Sequence, residues 1–203
     1  MRLVVGISGA SGVVYAIRLL EVLRQVPGME THLVMSTAAR QTIVLETEYT
    51  VKQVEDLAHV VHRFNDIGAS ISSGSFRTEG MVVIPCSMKT LSGIAYSAAD
   101  NLLVRAADVT LKERRKLVIC PRETPLHLGH LRLLVQAAEI GAIIFPPMPA
   151  FYHRPKTLDD ILNQTITRIL DMFDIRLEKE LFQRWQGARE AMSDEGRKTK
   201  DEG

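Results

Sequence analysis

Gly6-Ile7-Ser8-Gly9-Ala10-Ser11-Gly12 follows the apolar run Leu3–Val5 and opens an amphipathic segment over Val13–Val26. This order predicts a buried strand, a tight glycine turn and a helix. Backbone N–H groups at the start of a helix, together with the helix dipole, attract anions such as phosphate. The Gly-x-x-Gly-x-x-Gly spacing is neither the dinucleotide fingerprint nor the Walker motif, and a tight turn without a ligand needs the same glycines. The turn is therefore a candidate anion site, with the hydroxyls of Ser8 and Ser11 placed to reach a ligand.

The rest of the chain continues the alternation of short apolar runs and helical patterns. We expect further strands over residues 30–35, 81–84, 116–120 and 142–145. We expect further helices over residues 38–46, 49–60, 88–97, 101–114, 125–140, 158–173 and 177–186. Pro125 suits the first turn of its helix, Thr157 suits an N-cap, and residues 62–77 read as a surface loop.

This pattern predicts an α/β fold, with a parallel sheet covered by helices on both faces. We expect a single domain over residues 1–186 and a charged, disordered tail over residues 187–203.

Composition excludes several classes of protein. A chain of 203 residues fits one substantial core, and a net charge of +1 gives no reason to expect binding to nucleic acid or to a membrane surface. No apolar run reaches membrane-spanning length, and Met1-Arg2 leads directly into a strand, so we expect no signal peptide and a cytoplasmic protein. The two cysteines, Cys86 and Cys120, lie in strand-like runs and are expected to be buried, reduced thiols.

Polar side chains follow the predicted strands, at the edge where parallel sheets bind ligands. Ser36, Ser87 and Thr90 lie at helix starts, where a hydroxyl either binds an oxygen-rich ligand or caps the helix. Lys89 and Arg122 add positive charge at the same edge. We therefore expect five strand-end loops to converge on one cleft.

For four other charged residues the sequence allows either a role in the site or a position on the solvent-exposed surface. Arg105 and Lys112 are seven residues apart, so they share one helix face and either grip a phosphate or face solvent. Glu46 and Glu123 either move protons in the cleft or form surface ion pairs.

Three further features of the sequence bear on ligand or metal binding. Tyr152, in Phe-Tyr-His, can cover an aromatic ligand or bind an anion through its hydroxyl, and Arg168 is a further cation. His127 and His130 have a spacing that two metal ligands could use, but no Cys or carboxylate cluster accompanies them, so we predict no metal site.

Six motifs, in order along the chain, resemble one known family. They are V-G-I-S-G-A-S-G (5–12), L-E-T-E (45–48), P-C-S-M-K-T-L-S-G (85–93), R-A-A-D-V-T-L-K-E-R-R (105–115), P-R-E-T-P-L (121–126) and P-P-M-P-A-F-Y-H-R-P (146–155). Together they resemble the UbiX-type flavin prenyltransferases, formerly described as small subunits of phenolic acid or 3-octaprenyl-4-hydroxybenzoate decarboxylases. The resemblance runs from about residue 2 to residue 174.

The resemblance implies a Rossmann-like, flavodoxin-related fold that assembles as a homododecamer. It implies an enzyme that joins the dimethylallyl group of dimethylallyl phosphate to N5 and C6 of reduced FMN without a metal. The product, prenylated FMN, would serve a separate UbiD-type decarboxylase. The sequence leaves open whether that decarboxylase acts in ubiquinone synthesis or in the breakdown of hydroxybenzoate-type acids.

The resemblance also assigns roles to individual residues. The FMN-binding positions are Gly9, Ala10, Ser11, Ser36, Ser87, Met88, Lys89, Thr90 and Arg122. The positions that hold the prenyl phosphate are Arg105, Lys112, Tyr152 and Arg168, and Trp185 matches a C-terminal aromatic that covers the site. The catalytic positions are Ser11, Glu46 and Glu123. Glu123 is the first candidate for proton handling, with Glu46 and Ser11 as a relay, and the departing phosphate is an alternative base.

Three rival functions fit the sequence less well. A non-catalytic FMN-binding subunit of an aromatic acid decarboxylase complex would have no need of a second phosphate site. An oxidative cysteine decarboxylase of the related flavin-dependent superfamily would use an early active-site histidine, whereas His32 lies inside a predicted strand. A direct aromatic acid decarboxylase would find no electron sink in this sequence other than a flavin.

Overall fold

A computed structural model of the protein describes residues 1–187, and these form an α/β fold around one parallel sheet. The six strands of the sheet are β1 (Arg2–Ile7), β2 (Glu30–Met35), β3 (Val60–His62), β4 (Gly80–Cys86), β5 (Lys116–Pro121) and β6 (Ile143–Ile144). Their order in the sheet is β3-β2-β1-β4-β5-β6, and every pairing is parallel. The chain winds outward from β1 in both directions, so the order reverses between β1 and β4, where such sheets bind ligands.

Helices cover both faces of the sheet. They are α1 (Val13–Leu23), α2 (Thr37–Glu46), α3 (Val51–Glu55), α4 (Met88–Ala95), α5 (Leu102–Lys112), α6 (Leu128–Glu139) and α7 (Leu158–Met172). Alternate strand residues feed two cores: Leu3, Val5 and Ile7 pack under α1 and α7, whereas Val4 packs on the side of α4 and α5. The predicted α/β fold with helices on both faces is therefore confirmed.

The sheet has one strand more than the sequence predicted. The helix expected over residues 49–60 is wrong beyond its first turns: α3 ends at Glu55, and residues 60–62 form β3 at the sheet edge. Thr50 is the N-cap of α3 and forms a capping box with Gln53, so the start of the predicted helix is correct to within two residues. β3 is three residues long and only partly buried, so it lacks the apolar run that identified the other strands.

One other helix prediction is wrong at its start, and another is wrong throughout. Pro125 does not lie in the first turn of a helix, because α6 begins at Leu128 with His127 as its N-cap. Residues 177–186 form irregular chain with bends rather than a helix. The predicted loop over residues 62–77 is largely irregular, with one short 3-10 turn at Ser70–Ser72.

The predicted tail falls almost entirely outside the described part of the chain, which stops at Gly187. Among residues 1–187, no helix has the length and apolar character needed to cross a bilayer.

Candidate functional site

The glycine turn after β1 lies against the start of α2. An ideal Cβ placed on Gly9 would overlap the Cβ of Ala38 and would lie 3.3 Å from the Ala38 Cα and carbonyl carbon. Gly12 is the N-cap of α1 and has a φ of 98°, a left-handed conformation that side chains disfavour. The two glycines are therefore required by close packing and by backbone conformation, respectively, and they hold the turn at the carboxyl edge of the sheet.

Ser8 fastens this turn to the neighbouring strand end. Its Oγ accepts a hydrogen bond from the Ser87 N–H at 2.7 Å and donates to the Pro85 carbonyl at 3.1 Å. Only 1% of Ser8 is exposed, so the expectation that its hydroxyl reaches a ligand is wrong. Ser8 instead fixes the distance between the glycine turn and the loop after β4, a role that sequence reasoning missed.

Serine side chains cap two helices at the same edge. The Ser36 Oγ accepts from the Ala39 N–H at 3.1 Å at the start of α2. The Ser87 Oγ accepts from the Thr90 N–H at 3.3 Å at the start of α4, and it lies 3.2 Å from the Thr90 Oγ1. The capping role predicted as an alternative is therefore observed, and it does not exclude ligand binding by the other N–H groups of each first turn.

Two cations lie at this edge. The Arg122 N–H donates to the Cys86 carbonyl at 3.1 Å, which places Arg122 immediately beside the loop that carries Ser87. The side chains of Arg122 and Lys89 are exposed. The carboxyl edge thus combines the N-termini of α1, α2 and α4 with two positive side chains, an arrangement suited to a phosphate-bearing ligand.

Glu46 reaches back to the glycine turn from the end of α2. Its Oε2 accepts from the Gly12 N–H at 2.8 Å and from the Val13 N–H at 3.4 Å. Because Gly12 has no side chain with which to cap α1, Glu46 supplies that cap from a distant part of the sequence. Ser11, which is exposed, is the neighbour of Gly12, so the structure brings Ser11 and Glu46 together.

Glu123 also lies at this edge but points to solvent. It follows Arg122 directly, is exposed, and accepts a hydrogen bond from the Thr124 N–H at 3.1 Å.

Arg105 and Lys112 lie elsewhere in the protomer. Lys112 ends α5 four residues before the first residue of β5, which places it toward the amino edge of the sheet, opposite the glycine turn. Its Nζ pairs with Glu113 Oε1 at 2.5 Å. Arg105 pairs with Asp108 at 3.0 Å and donates to the Ser72 carbonyl at 3.3 Å.

Tyr152 and Arg168 belong to a third group, the α7 group, because Arg168 lies on α7 and Tyr152, in the segment before it, contacts that helix. The Tyr152 Oη accepts from the Gln164 Nε2 at 3.2 Å, and Gln164 lies one helical turn before Arg168. Arg168 itself pairs with Asp171 at 3.1 Å. Arg168 is one turn from the end of α7, and just beyond that end Asp174 pairs with Lys116, the first residue of β5, so Arg168 lies toward the amino edge.

The predicted site residues therefore fall into three separate groups within one protomer. The carboxyl-edge group holds the glycine turn, the serine caps, Arg122 and both glutamates; the α5 group and the α7 group hold the phosphate-binding candidates. Four of the five strand-end loops expected to share a cleft meet at the carboxyl edge, whereas Tyr152, in the fifth, contacts Gln164 of α7. Gln164 and Asp171 were missed, although Asp171 follows Arg168 at the i,i+3 spacing of helical ion pairs.

The two cysteines are buried and unpaired, as predicted. Burial raises the pKa of both thiols, so neither is a reactive thiolate. Within residues 1–187 no group of three or more metal-binding side chains is present.

Comparison with known proteins assigns the chain to a family. A sequence model of the family described as Flavoprotein matches residues 1–171. The flavin prenyltransferase UbiX of Escherichia coli K12 is 67% identical over 187 residues, which are 92% of this chain and 99% of the relative.

Two solved structures are similar along nearly their whole length. One is a dodecameric FMN-dependent UbiX-like decarboxylase from Escherichia coli O157:H7, with a TM-score of 0.88 and 51% identity, covering 92% of this chain and 100% of that one. The other is AnUbiX (PadA1) in complex with FMN and dimethylallyl pyrophosphate, with a TM-score of 0.88 and 49% identity, covering 92% and 98%. This chain therefore belongs to the Flavoprotein family and, within it, to the UbiX-type flavin prenyltransferases.

Proposed function

We propose that this protein is a flavin prenyltransferase, which joins the dimethylallyl group of dimethylallyl phosphate to N5 and C6 of reduced FMN. The observation that carries the proposal is the carboxyl edge, where three helix N-termini and Arg122 surround the glycine turn in a chain 67% identical to a named enzyme of this activity. The product, prenylated FMN, is proposed to pass to a UbiD-type decarboxylase.

The residues at the carboxyl edge fit FMN. A phosphate needs several N–H donors and positive charge, and the first turns of α2 and α4 supply the donors beside Arg122 and Lys89. Gly9 and Ala10 leave the backbone of the turn open to a planar ring, because no side chain larger than a methyl stands there. The Ser36 hydroxyl accepts from a backbone N–H, and the Thr90 hydroxyl accepts from the Ser87 hydroxyl, so the protons of Ser36 and Thr90 suit ribityl and carbonyl oxygens.

The proposed chemistry requires that the allylic C–O bond of the donor breaks while negative charge grows on its phosphate. The reduced flavin supplies the nucleophile. Arg105, Lys112 and Arg168 would stabilise the departing phosphate together with the Tyr152 hydroxyl. Each of these cations already has one anionic partner in the protomer, at 3.0 Å, 2.5 Å and 3.1 Å respectively, and each has further N–H donors for a phosphate oxygen.

Assembly would bring the three groups together. Because Lys112 and Arg168 lie toward the amino edge of their own protomer, we propose that they complete the site of a neighbouring protomer in a homo-oligomer, as a dodecamer. The exposed apolar side chains of Leu128, Leu131 and Val135 on α6 support assembly, since a helix face of this kind is normally covered by protein. The solved relative from Escherichia coli O157:H7 is dodecameric.

Proton handling at ring closure is assigned to the two glutamates. Glu123 is exposed beside Arg122, at the edge where the flavin is proposed to bind. Glu46 holds the Gly12 N–H next to Ser11, which suits a relay between the two side chains. The released phosphate is the alternative base.

The carboxyl edge on its own would also suit a non-catalytic FMN-binding subunit. A test that separates the two functions is phosphate release, measured anaerobically with dimethylallyl phosphate and reduced FMN. An enzyme releases phosphate only when both are present, whereas a carrier releases none. Running dimethylallyl pyrophosphate in parallel distinguishes the two donors by the anion that appears. We place the reaction in the cytoplasm, where buried free thiols such as Cys86 and Cys120 are usual.

A further inference from the structure

The C-terminal segment after α7 is held to that helix by one bidentate ion pair. Arg184 donates from Nη1 to Asp171 Oδ2 and from Nη2 to Asp171 Oδ1, both at 2.9 Å. Its Nε donates to Glu180 at 3.0 Å. The Arg184 guanidinium holds the pKa of Asp171 below its usual range, with a smaller contribution from Arg168. Each oxygen of the Asp171 carboxylate therefore accepts one hydrogen bond from Arg184.

Arg168 also binds the Asp171 carboxylate, but through one hydrogen bond where Arg184 makes two. Its Nη1 lies 3.1 Å from Asp171 Oδ2, the oxygen that already accepts from Arg184. A guanidinium carries five N–H donors, so this single bond leaves four for another ligand. If Arg184 were absent, both Asp171 oxygens would be open, and an arginine at the i,i+3 position could take them in the bidentate geometry that arginine and carboxylate prefer.

The residue after Arg184, Trp185, packs on Tyr152, which is the other phosphate-binding candidate of the α7 group. The Trp185 ring meets the Tyr152 ring edge to face, with centroids 6.0 Å apart. The Tyr152 Oη accepts from Gln164, so its own proton remains available to a ligand oxygen. One segment thus contacts both Tyr152 and the carboxylate that neighbours Arg168.

We propose that Arg184 is a positioning residue for the prenyl donor: by occupying both oxygens of Asp171, it keeps the Arg168 guanidinium available to the donor phosphate. This inference rests on the proposed function, in which Arg168 binds that phosphate. Asp171 is the competitor in this arrangement, and Arg184 neutralises it. The role is distinct from simple docking of the C-terminal segment, because it predicts that the removal of Asp171 reverses the effect of losing Arg184.

The test compares Arg184→Ala, Asp171→Asn and the double variant in steady-state prenylation by the full-length, FMN-loaded protein. For Arg184→Ala we expect the KM for dimethylallyl phosphate to rise about tenfold, the loss of one good charge-assisted bond, with kcat and the Kd for FMN near those of the wild type. For the double variant we expect the KM to return to within about threefold of the wild type, since no carboxylate remains to bind Arg168. Arg184→Lys, which can satisfy only part of the carboxylate, should fall between the wild type and Arg184→Ala.

Arg18→Ala is the matched control. Arg18 also pairs with α7, through Asp159 at 2.6 Å, but it does not contact Asp171. Its loss should leave the KM for the donor unchanged, which excludes a general effect of weakening contacts to α7. The fluorescence of Trp185, the single tryptophan of the chain, reports whether the C-terminal segment stays docked in each variant.

Two results would overturn the inference while the proposed function stands: a wild-type KM in Arg184→Ala and Arg184→Lys, or a double variant as weak as Arg184→Ala. If the wild-type protein does not consume dimethylallyl phosphate at all, the proposed function fails first and the inference fails with it.

Discussion

Replacing Gly9 by alanine probes the packing between the glycine turn and α2. An added Cβ would overlap the Ala38 Cβ and press to 3.3 Å against the Ala38 Cα and carbonyl carbon. Neither group is the end of a flexible side chain, so the backbone of the turn or of α2 must move. Forcing an extra methyl into a packed contact costs about 1–3 kcal/mol, and in a domain of this size each kcal/mol lowers the Tm by about 2–4 °C.

The same displacement should weaken FMN binding more than it weakens the fold. A shift of the turn would break its N–H contacts with the ligand, and a hydrogen bond to a charged group contributes about 1.5–3 kcal/mol. We therefore expect the Kd for FMN to rise roughly 10- to 100-fold, as measured by quenching of flavin fluorescence on titration with protein.

A second substitution makes the test specific. Ala38→Gly removes the overlapped methyl, so Gly9→Ala with Ala38→Gly should recover most of the FMN affinity, less a helix-propensity cost of up to about 1 kcal/mol. Gly68→Ala is the matched control, because its added Cβ would meet only Asp66 Oδ1 at an ordinary 3.5 Å. Wild-type FMN affinity and Tm in Gly9→Ala, or no recovery in the double variant, would refute the reasoning.

Three further predictions concern the other groups of residues. Arg168→Ala should raise the KM for dimethylallyl phosphate with an unchanged Kd for FMN, and an equal loss of both affinities would contradict its assignment to the donor. Glu123→Gln should keep FMN binding but lose prenylation, and a wild-type kcat would remove Glu123 from the proton-handling step. Burial lowers the pKa of His32 and His62, whose ring nitrogens lie 2.9 Å apart, from the usual 6.5. The unfolded chain thus binds more protons there, so the free energy of unfolding should fall as the pH drops below about 6.5; His62→Gln should flatten that dependence in urea titrations at pH 5 and 7.5.

The sequence predicted those parts of the fold in which local pattern and burial agree. The run Leu3–Val5, the glycine turn and the helix after it were predicted in place because apolar periodicity and glycine spacing both mark them. β3 was missed because its stability comes from pairing with β2 rather than from its own composition. The helix expected over residues 177–186 failed for a related reason: Arg184 and Trp185 make contacts with α7 and Tyr152 that no local pattern encodes.

The residues of the candidate site also differ in how well the sequence predicted their positions. Residues next to a strand end, such as Ser87 and Arg122, could be placed from the sequence because parallel strands end at one edge. The prediction that the Ser8 hydroxyl reaches a ligand was wrong, because neighbouring residues of such a turn face opposite ways and the sequence does not show which of them faces the core. The position of Lys112 depended on the direction of α5 along the sheet, and the pattern of charges on one helix face carries no information about which edge that face approaches.

The central claim is that this protein makes prenylated FMN, and the mass of the flavin tests it most directly. The purified full-length protein is incubated anaerobically with reduced FMN and dimethylallyl phosphate, the protein is then denatured, and the released flavin is analysed by mass spectrometry. The account predicts a flavin heavier than FMN by one five-carbon prenyl unit, formed only when the protein and both substrates are present. Recovery of unmodified FMN from the complete mixture would contradict it.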